Sequence, residues 1–202
     1  MTWIFTIPFG EATGRLKTLY RRVTGPDENV DNIMLAHSLR PHSMEGHMAL
    51  YKYVLHHSGN TLPKWFLETI GVWVSLLNEC DYCIEHHYAG LRRLLGDDLA
   101  AERLFSSLRR QDIDAIDLNA SYKQALIYAQ QLTRDPSGVT EESVVKLRAQ
   151  GLSDGEILEV NQVTAYFAYA NRTVLGLGIN TEGDVLGLSP GNSEDAEDWS
   201  HR

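Results

Sequence analysis

Both cysteines of this 202-residue chain lie in one short stretch, at positions 80 and 83, and a histidine follows at position 87. If the stretch is helical, Cys80, Cys83 and His87 share one face, because residues three and four apart are neighbours on a helix. Two thiols this close can interconvert with a disulfide, and an imidazole one turn further on can accept a thiol proton. Only the thiolate is a nucleophile, and an unperturbed cysteine has a pKa of about 8.5. The spacing therefore predicts thiol redox chemistry, with a lowered pKa at Cys83.

Other interpretations of these cysteines are weaker. Free cysteines are common in protein cores, but a core role does not explain a pair with a histidine at helical spacing. A zinc ion could use Cys80, Cys83, His86 and His87. However, structural zinc sites usually draw ligands from separate segments, because one helical turn cannot surround a tetrahedral ion. A thioredoxin fold places its motif after a β-strand, whereas a helical segment precedes it here. We therefore expect neither a metal ion nor a cofactor.

The composition is that of one globular domain, with 43% hydrophobic and 22% charged residues. The net charge of −9 repels phosphate backbones, so nucleic acid is not an expected partner. The apolar opening segment, residues 1–8, lacks the basic start and the cleavage site of a signal peptide. No apolar run reaches the roughly 18 residues of a membrane span. Two cysteines in this setting predict a cytoplasmic protein that is not bound to a membrane.

Helical periodicity runs through most of the chain and predicts an all-α bundle, with one domain over residues 1–190. Residues 1–30 are predicted as an irregular arm with a loop at 25–29, and residues 191–202 as an acidic, disordered tail. Asn78 is the predicted N-cap of the cysteine-bearing helix, which places Cys80 in the first turn, where free N–H groups favour an anion. The predicted helices cover about 31–40, 43–57, 63–77, 79–95, 98–109, 120–133, 140–150 and 153–175.

The segment from Glu68 to His87 resembles the signature of the AhpD-like alkylhydroperoxidases, which belong to the carboxymuconolactone decarboxylase superfamily. A glutamate stands twelve residues before the first cysteine and a histidine four residues after the second. The similarity covers about residues 30–180 and points to the branch of uncharacterised peroxidase-related proteins. The similarity extends beyond the motif to residues 132–136, 139–140, 151–154, 156–158, 165–167 and 171–172. The resemblance implies an AhpD-like helical bundle.

The resemblance also implies a role for each residue of the motif. Cys83 would attack a hydroperoxide and become a sulfenic acid, and Cys80 would resolve it as an intramolecular disulfide. His87 would accept the proton, directly or through water, and Glu68 would orient His87 in a relay. His86, where relatives tend to carry a small residue, is a second candidate base. Tyr82 is a secondary candidate for the pocket wall.

These roles predict an antioxidant thiol peroxidase or disulfide reductase, acting on organic hydroperoxides or hydrogen peroxide. A dithiol donor, such as a thioredoxin-like protein or a lipoyl group, would recycle it. A lactone decarboxylase-type acid/base enzyme of the same superfamily and a non-catalytic redox-sensing module remain alternatives, although decarboxylation does not need two thiols. The remaining histidines considered are predicted to be structural or on the surface: His42, His47, His56 and His57. The apolar positions of the 153–175 helix predict that it buries two faces, which favours a homo-oligomer. The resemblance implies the same, because members of the family form dimers, trimers or hexamers.

Overall fold

The computed structural model describes residues 2–25, 29–195 and 197–201, and the regular structure in these ranges is helical. Two isolated β-bridges are present, but no β-strand is formed in the described ranges. The predicted all-α class is confirmed. Short 3-10 helices cover Phe9–Glu11 and Pro136–Gly138. The α-helices are α1 (Gly14–Val23), α2 (Asn32–Ala36), α3 (Pro41–Leu55), α4 (Lys64–Leu77), α5 (Asp81–Leu95), α6 (Asp98–Arg109), α7 (Ala120–Arg134), α8 (Glu141–Ala149) and α9 (Asp154–Leu177).

Helix α4 forms the centre of the bundle and packs against α5, α7 and α9. Its residues from Phe66 to Ser75 are all buried, as expected for a helix that is apolar on every side. The buried indole of Trp73 donates a hydrogen bond to the carbonyl of Leu126 at 3.0 Å. A β-carbon at Gly71 would lie 2.2 Å from the ring of Phe167, so glycine is what lets α9 approach α4 this closely.

A tight turn joins α4 to α5. The backbone N–H of Cys80 donates to the carbonyl of Ser75 at 2.9 Å, and that of Glu79 donates to Leu76 at 3.2 Å. Glu79 has a φ of 55°, a left-handed conformation that glycine usually takes at a helix end. The prediction that Asn78 caps the cysteine-bearing helix is wrong, because Asn78 ends α4 and Cys80 itself is the N-cap of α5.

The N-terminal segment is more regular than predicted. Helix α1 buries Leu16, Leu19, Tyr20 and Val23. Their spacing of three and four residues is the helical signal by which the sequence could have revealed this element. The irregular arm predicted for residues 1–30 is therefore corrected to a segment with one α-helix. Residues 26–28 of the predicted loop, and residue 1, lie outside the described residues.

The C-terminal strap, residues 178–201, packs back onto the helices. Trp199 and His201 are buried, and the guanidinium of Arg22 lies 3.7 Å from the Trp199 ring centroid. The buried Lys52 of α3 donates hydrogen bonds to the carbonyl of Gly191 and, at 3.0 Å, to the hydroxyl of Ser193. The disorder predicted for residues 191–202 is thus wrong for 191–195 and 197–201. Residues 196 and 202 lie outside the described residues.

None of the described helices combines the length and the apolar character needed to cross a lipid bilayer.

Candidate active site

Glu68 and His87 meet across the hairpin of α4 and α5. Glu68 lies nine residues before the end of α4, and His87 lies six residues after the start of α5. In an antiparallel helix pair this places them at the same level to within about one turn. The Nδ1 of His87 lies 2.7 Å from the Oε2 of Glu68. The carboxylate is buried, with 2% of its side chain exposed, and the imidazole keeps 14%. The structure therefore brings together the two residues that the resemblance paired.

The surroundings of His87 orient its ring. Phe167 packs edge-on against it, with ring centroids 4.6 Å apart, and Tyr51 does so at 6.1 Å. With Nδ1–H donating to the Glu68 carboxylate, a neutral imidazole presents Nε2 as a proton acceptor. This is the arrangement that a general base requires.

The two thiols are free and buried. Cys80 is fully buried at the N-cap of α5, and Cys83 is 3% exposed one turn further along. The two thiols lie near each other at the start of α5, and no disulfide links them.

The two thiols have opposite pKa shifts. The pKa of Cys80 lies below its usual range, mainly because the Cys83 thiol donates a hydrogen bond to the Cys80 thiolate, and burial opposes this effect. The pKa of Cys83 is raised well above its usual range by the same hydrogen bond and by burial. The sequence predicted the lower pKa at Cys83 because His87 lies one turn away. The hydrogen bond between the two thiols dominates instead, and it lowers the pKa of Cys80 while it raises that of Cys83.

Asn171 of α9 is a polar neighbour of both cysteines. Hydrogen bonding from its side chain contributes to lowering the pKa of each thiol, as a lesser cause. The amide is held in place because it donates to the Ser75 hydroxyl at 3.1 Å and accepts from the Asn78 side chain at 2.9 Å. Instead of capping α5, as the sequence predicted, Asn78 therefore holds the side chain of Asn171, which stabilises the thiolates.

A small cavity, partly open to solvent, reaches Cys83 but not Cys80. Its volume is about 40 Å³. A single water needs roughly 10–15 Å³ on such a measure, so the cavity holds about three heavy atoms of a substrate, and the rest of a larger molecule must lie at the opening. The ionisable groups in its wall that bear on the chemistry are Asp31, Glu68, Cys83, His86 and His87.

Aromatic rings from α3, α5 and α9 complete the wall. Tyr51 and Tyr166 stack with centroids 5.4 Å apart, and His47 lies 5.8 Å from Tyr166. The buried Nδ1 of His47 has no hydrogen-bond partner among the described residues. The sequence placed His47 among structural histidines and Tyr166 in the core, whereas both line the cavity. Their helical spacing is also typical of core residues, so the pattern alone could not distinguish the two roles.

His86 and Tyr82 belong to a second carboxylate cluster, formed around Asp184 of the strap. The Tyr82 hydroxyl donates to the Oδ2 of Asp184 at 2.8 Å, and the Nε2 of His86 lies 3.1 Å from the same oxygen. The two adjacent imidazoles thus have different carboxylate partners, Glu68 for His87 and Asp184 for His86. No spacing in the sequence could have revealed Asp184, because it lies about a hundred residues away in a segment without periodicity.

The strap closes the cavity on one side. Gly187, Leu188, Ser189 and His201 all line it. Gly187 has a φ of 81°, and a β-carbon there would lie 2.9 Å from Ala89 of α5. Only glycine satisfies both the left-handed conformation and the close approach, so this residue fixes the height at which the strap crosses α5.

Within the described ranges, no three histidine, cysteine, aspartate or glutamate side chains are arranged to hold a metal ion. The zinc arrangement of Cys80, Cys83, His86 and His87 is therefore not formed.

Solved structures share this architecture. An uncharacterised peroxidase-related protein from Ralstonia eutropha JMP134, described as an alkylhydroperoxidase AhpD core, matches with a TM-score of 0.76 and 22% identity, covering 89% of this chain and 92% of that one. A peroxidase-related protein from Silicibacter sp. TM1040 matches with a TM-score of 0.72 and 23% identity, covering 91% and 95%. The chain has an AhpD-like fold.

The AhpD-like fold also occurs in the debrominase Bmp8. The structure of a cysteine-to-alanine variant of Bmp8 in complex with 2,3,4-tribromopyrrole matches with a TM-score of 0.67 and 16% identity, covering 91% of this chain and 93% of that one. No protein-family model matches the sequence, and no curated protein matches it. The fold therefore includes both peroxidase-related proteins and a debrominase.

Proposed function

We propose that this protein is a thiol-dependent peroxidase that reduces hydrogen peroxide or a very small alkyl hydroperoxide. The observation that carries the proposal is the position of the two thiols: Cys83 lines the cavity, and Cys80 lies outside its wall beside Cys83. Cys83 is thus placed to meet a substrate, and Cys80 is placed to meet only Cys83. The pair of Glu68 and His87 lines the same cavity and supplies a base.

The proposed reaction begins with the dithiol. The Nε2 of His87 accepts the first proton of the pair, and Glu68 stabilises the resulting imidazolium. The remaining proton moves along the hydrogen bond from Cys83 to Cys80, which leaves the Cys83 thiolate facing the cavity. This order uses the low pKa of Cys80, because Cys80 loses its proton first. Cys80 then accepts the proton of Cys83, so the negative charge moves to the Cys83 sulfur.

The two bond-forming steps transfer two electrons from sulfur to the peroxide. The Cys83 thiolate forms an S–O bond to one peroxide oxygen, the O–O bond breaks, and the other oxygen leaves and takes up a proton as water or an alcohol. The sulfur of Cys80 then attacks the Cys83 sulfenic acid, an S–S bond forms, and the hydroxyl leaves as water. A dithiol donor, thioredoxin-like or lipoyl, reduces the disulfide and restores both thiols.

The cavity volume selects among substrates. An engineered cavity that binds benzene measures about 150 Å³, whereas this one measures about 40 Å³. A brominated pyrrole ring is therefore too large for this cavity, although the fold is shared with a debrominase. Hydrogen peroxide, with two heavy atoms, needs no opening.

A single-equivalent experiment tests the proposal. Reduced wild type, Cys80→Ser and Cys83→Ser are each mixed with one equivalent of hydrogen peroxide. Free thiols, peroxide consumed and sulfenic acid trapped by dimedone are then counted. Wild type should lose both thiols to an internal disulfide, Cys80→Ser should give a trappable sulfenic acid, and Cys83→Ser should not react.

The possible failures of this experiment are separable. Equal sulfenic acid labelling of the two single variants would refute the assigned order of attack. Retention of both thiols in wild type would refute the activity itself. Loss of thiols without turnover in the presence of a dithiol donor would favour the redox-sensing module.

We further propose a homo-oligomer, because α9 leaves apolar side chains on its outer face. Leu158, Tyr169 and Leu175 are 59%, 40% and 45% exposed. Sedimentation velocity would reveal a dimer, trimer or hexamer, and a monomer at all concentrations would rule this out.

A further inference from the structure

Asp31 stands at the start of α2, where an aspartate ordinarily caps the helix with its own carboxylate. Its side chain forms no such bond. The N–H that such a carboxylate would accept from, that of Ile33, donates instead to the Tyr82 hydroxyl at 3.2 Å. The N–H of Asn32 donates to both carboxylate oxygens of Asp184, at 3.1 Å each. The Asp31 carboxyl is thus released from the capping role, and it lines the cavity that contains Cys83.

The carboxyl of Asp31 lies in surroundings that favour its protonated form. The side chain is buried, which disfavours the carboxylate, although the Asn29 amide donates to its Oδ1 at 3.2 Å. Burial raises the pKa of Asp31 to about 6; nearby His86 works against the rise, and Asp184 adds to it. The charge of Asp31 is in turn a lesser cause, after burial, of the raised pKa of Tyr51 and of Tyr82. Near neutral pH, Asp31 can therefore both hold and release a proton.

Reduction of a peroxide needs such a group. When the O–O bond breaks, the departing oxygen carries a full negative charge inside a cavity of about 40 Å³, where little water can solvate it. The pair of Glu68 and His87 accepts the first thiol proton at the start of the reaction. A second ionisable group in the same wall would let the departing oxygen receive a proton without that proton having to return from His87. A positioned acid typically contributes about 10²–10⁴-fold to such a step.

We propose that Asp31 is the general acid that protonates the departing oxygen of the peroxide, an inference that rests on the peroxidase function proposed above. The Cys83 thiolate forms the S–O bond as the O–O bond breaks, and the Asp31 carboxyl transfers its proton to the departing oxygen. The products are the Cys83 sulfenic acid, one water or alcohol molecule, and the Asp31 carboxylate. Asp31 then regains a proton from solvent before the next turnover.

The leaving group distinguishes an acid from a merely structural residue. Hydrogen peroxide releases hydroxide, which needs a proton, whereas peracetic acid releases acetate, which does not. Peracetic acid has five heavy atoms, so only its peroxide end can lie inside the cavity, and its methyl group must lie at the cavity opening. The rate constant of peroxide consumption is measured in one turnover of the reduced full chain, with each oxidant, for wild type and Asp31→Asn. Asp31→Asn should lose about 10²-fold with hydrogen peroxide and less than about threefold with peracetic acid.

Two further variants complete the comparison. Asp31→Glu, which keeps an acid, should recover part of the rate with hydrogen peroxide. Asp114→Asn, at an exposed carboxylate that does not line the cavity, should match wild type with both oxidants. Equal losses with the two oxidants in Asp31→Asn, or no loss with either, would overturn the role of Asp31.

The wild type alone provides a test that does not depend on the folding of any variant. Thiolate formation affects both oxidants alike, so the ratio of the two rate constants isolates the acid. The rate constant for hydrogen peroxide, divided by that for peracetic acid, should fall by nearly tenfold for each unit as the pH rises from about 6 to about 7.5, a range in which peracetic acid keeps its own proton. A flat ratio would overturn the proposal. Failure of wild type to reduce either oxidant would overturn the peroxidase function as well, whereas a flat ratio with rapid reduction would overturn only the role of Asp31.

Discussion

Two adjacent imidazoles, His86 and His87, have the same chemical character but different partners. His87 binds the carboxylate of Glu68 on the neighbouring helix, whereas His86 binds the carboxylate of Asp184 on the strap. The first partnership leaves Nε2 of His87 as a proton acceptor. The second occupies Nε2 of His86 and joins it to Tyr82 through the same oxygen. At this scale the structure favours His87 as the base.

We predict that Glu68 acts only through His87. Both Glu68→Gln and His87→Ala should slow peroxide reduction, His87→Ala by about 10²–10⁴-fold. The double variant should be little slower than His87→Ala alone, because residues of one relay are strongly non-additive. The measurement is kcat/KM with one peroxide at one pH. His86→Ala should lose less than His87→Ala, and the exposed His42→Ala serves as the control.

Multiplying losses in the double variant would show that Glu68 has a separate task. A larger loss in His86→Ala than in His87→Ala would transfer the role of base to His86.

Which of these residues the sequence could predict depends on how they are brought together. Glu68 and His87 were predictable because a single hairpin joins them. The relative acidity of Cys80 and Cys83 was not, because it depends on which thiol donates to the other. Asp31 and Asp184 were also missed, since a helix start and a non-periodic segment give no sign that both carboxylates lie near the thiols.

At the scale of elements, the later helices, α6 to α9, begin at side-chain caps or capping boxes, whereas α1 to α5 do not. The Asp97 side chain accepts from the N–H of Ala100, and Ser153 and Glu156 form a capping box, as the sequence indicates. The turn between α4 and α5 was misassigned because Glu79 takes a conformation that is unusual for a residue with a side chain. The strap escaped prediction because its order depends on distant partners such as Lys52 and Asn32 rather than on its own composition.

We predict that Gly187→Ala lifts the strap away from α5 and exposes Cys83. The added methyl group would meet Ala89 at 2.9 Å, in a residue that already has a φ of 81°. Alkylation of the Cys83 thiol by iodoacetamide, followed by mass spectrometry in the Cys80→Ser background, should become roughly tenfold faster or more, because the reagent reacts through local opening.

Gly183→Ala is a matched control for this experiment. Gly183 has a φ of 87°, so alanine carries the same left-handed strain, of about 1–2 kcal/mol, but its β-carbon meets no atom within 4 Å. Its alkylation rate should stay near that of the parent. Equal acceleration in the two variants would attribute the effect to backbone strain and not to the crossing of the strap over α5.

At the scale of the whole molecule, burial of uncharged imidazoles dominates the response to acid. Burial lowers the pKa of His47 to about 3 and that of His201 to about 4. It also lowers the pKa of His37 and, well below the usual range, that of His56. The unfolded chain binds protons on these four side chains below about pH 6.5, whereas the folded chain resists doing so.

The sign of the pH dependence follows from these shifts. In this window the unfolded state holds more protons, so the free energy of unfolding falls as the pH is lowered from about 6.5. Asp31 acts in the opposite direction between about pH 4 and 6, because its pKa is raised to about 6 and the folded state holds its proton. With four histidines acting in one direction and one aspartate in the other, the unfolded state binds about three more protons than the folded state. The free energy of unfolding should therefore change by as much as about 4 kcal/mol per pH unit.

We predict that the chain unfolds in mild acid and that His56 accounts for about one of the protons taken up. His56 is fully buried, and neither of its ring nitrogens has a hydrogen-bond partner among the described residues. His56→Phe keeps an aromatic ring and removes the titrating group. It should reduce the slope of the unfolding free energy against pH by about 1.4 kcal/mol per unit below about pH 6. Urea denaturation at several pH values between about 4.5 and 7.5 measures this slope. His42→Phe, at an exposed histidine, should leave the slope unchanged, and an unchanged slope in His56→Phe would show that His56 is not buried as a neutral group.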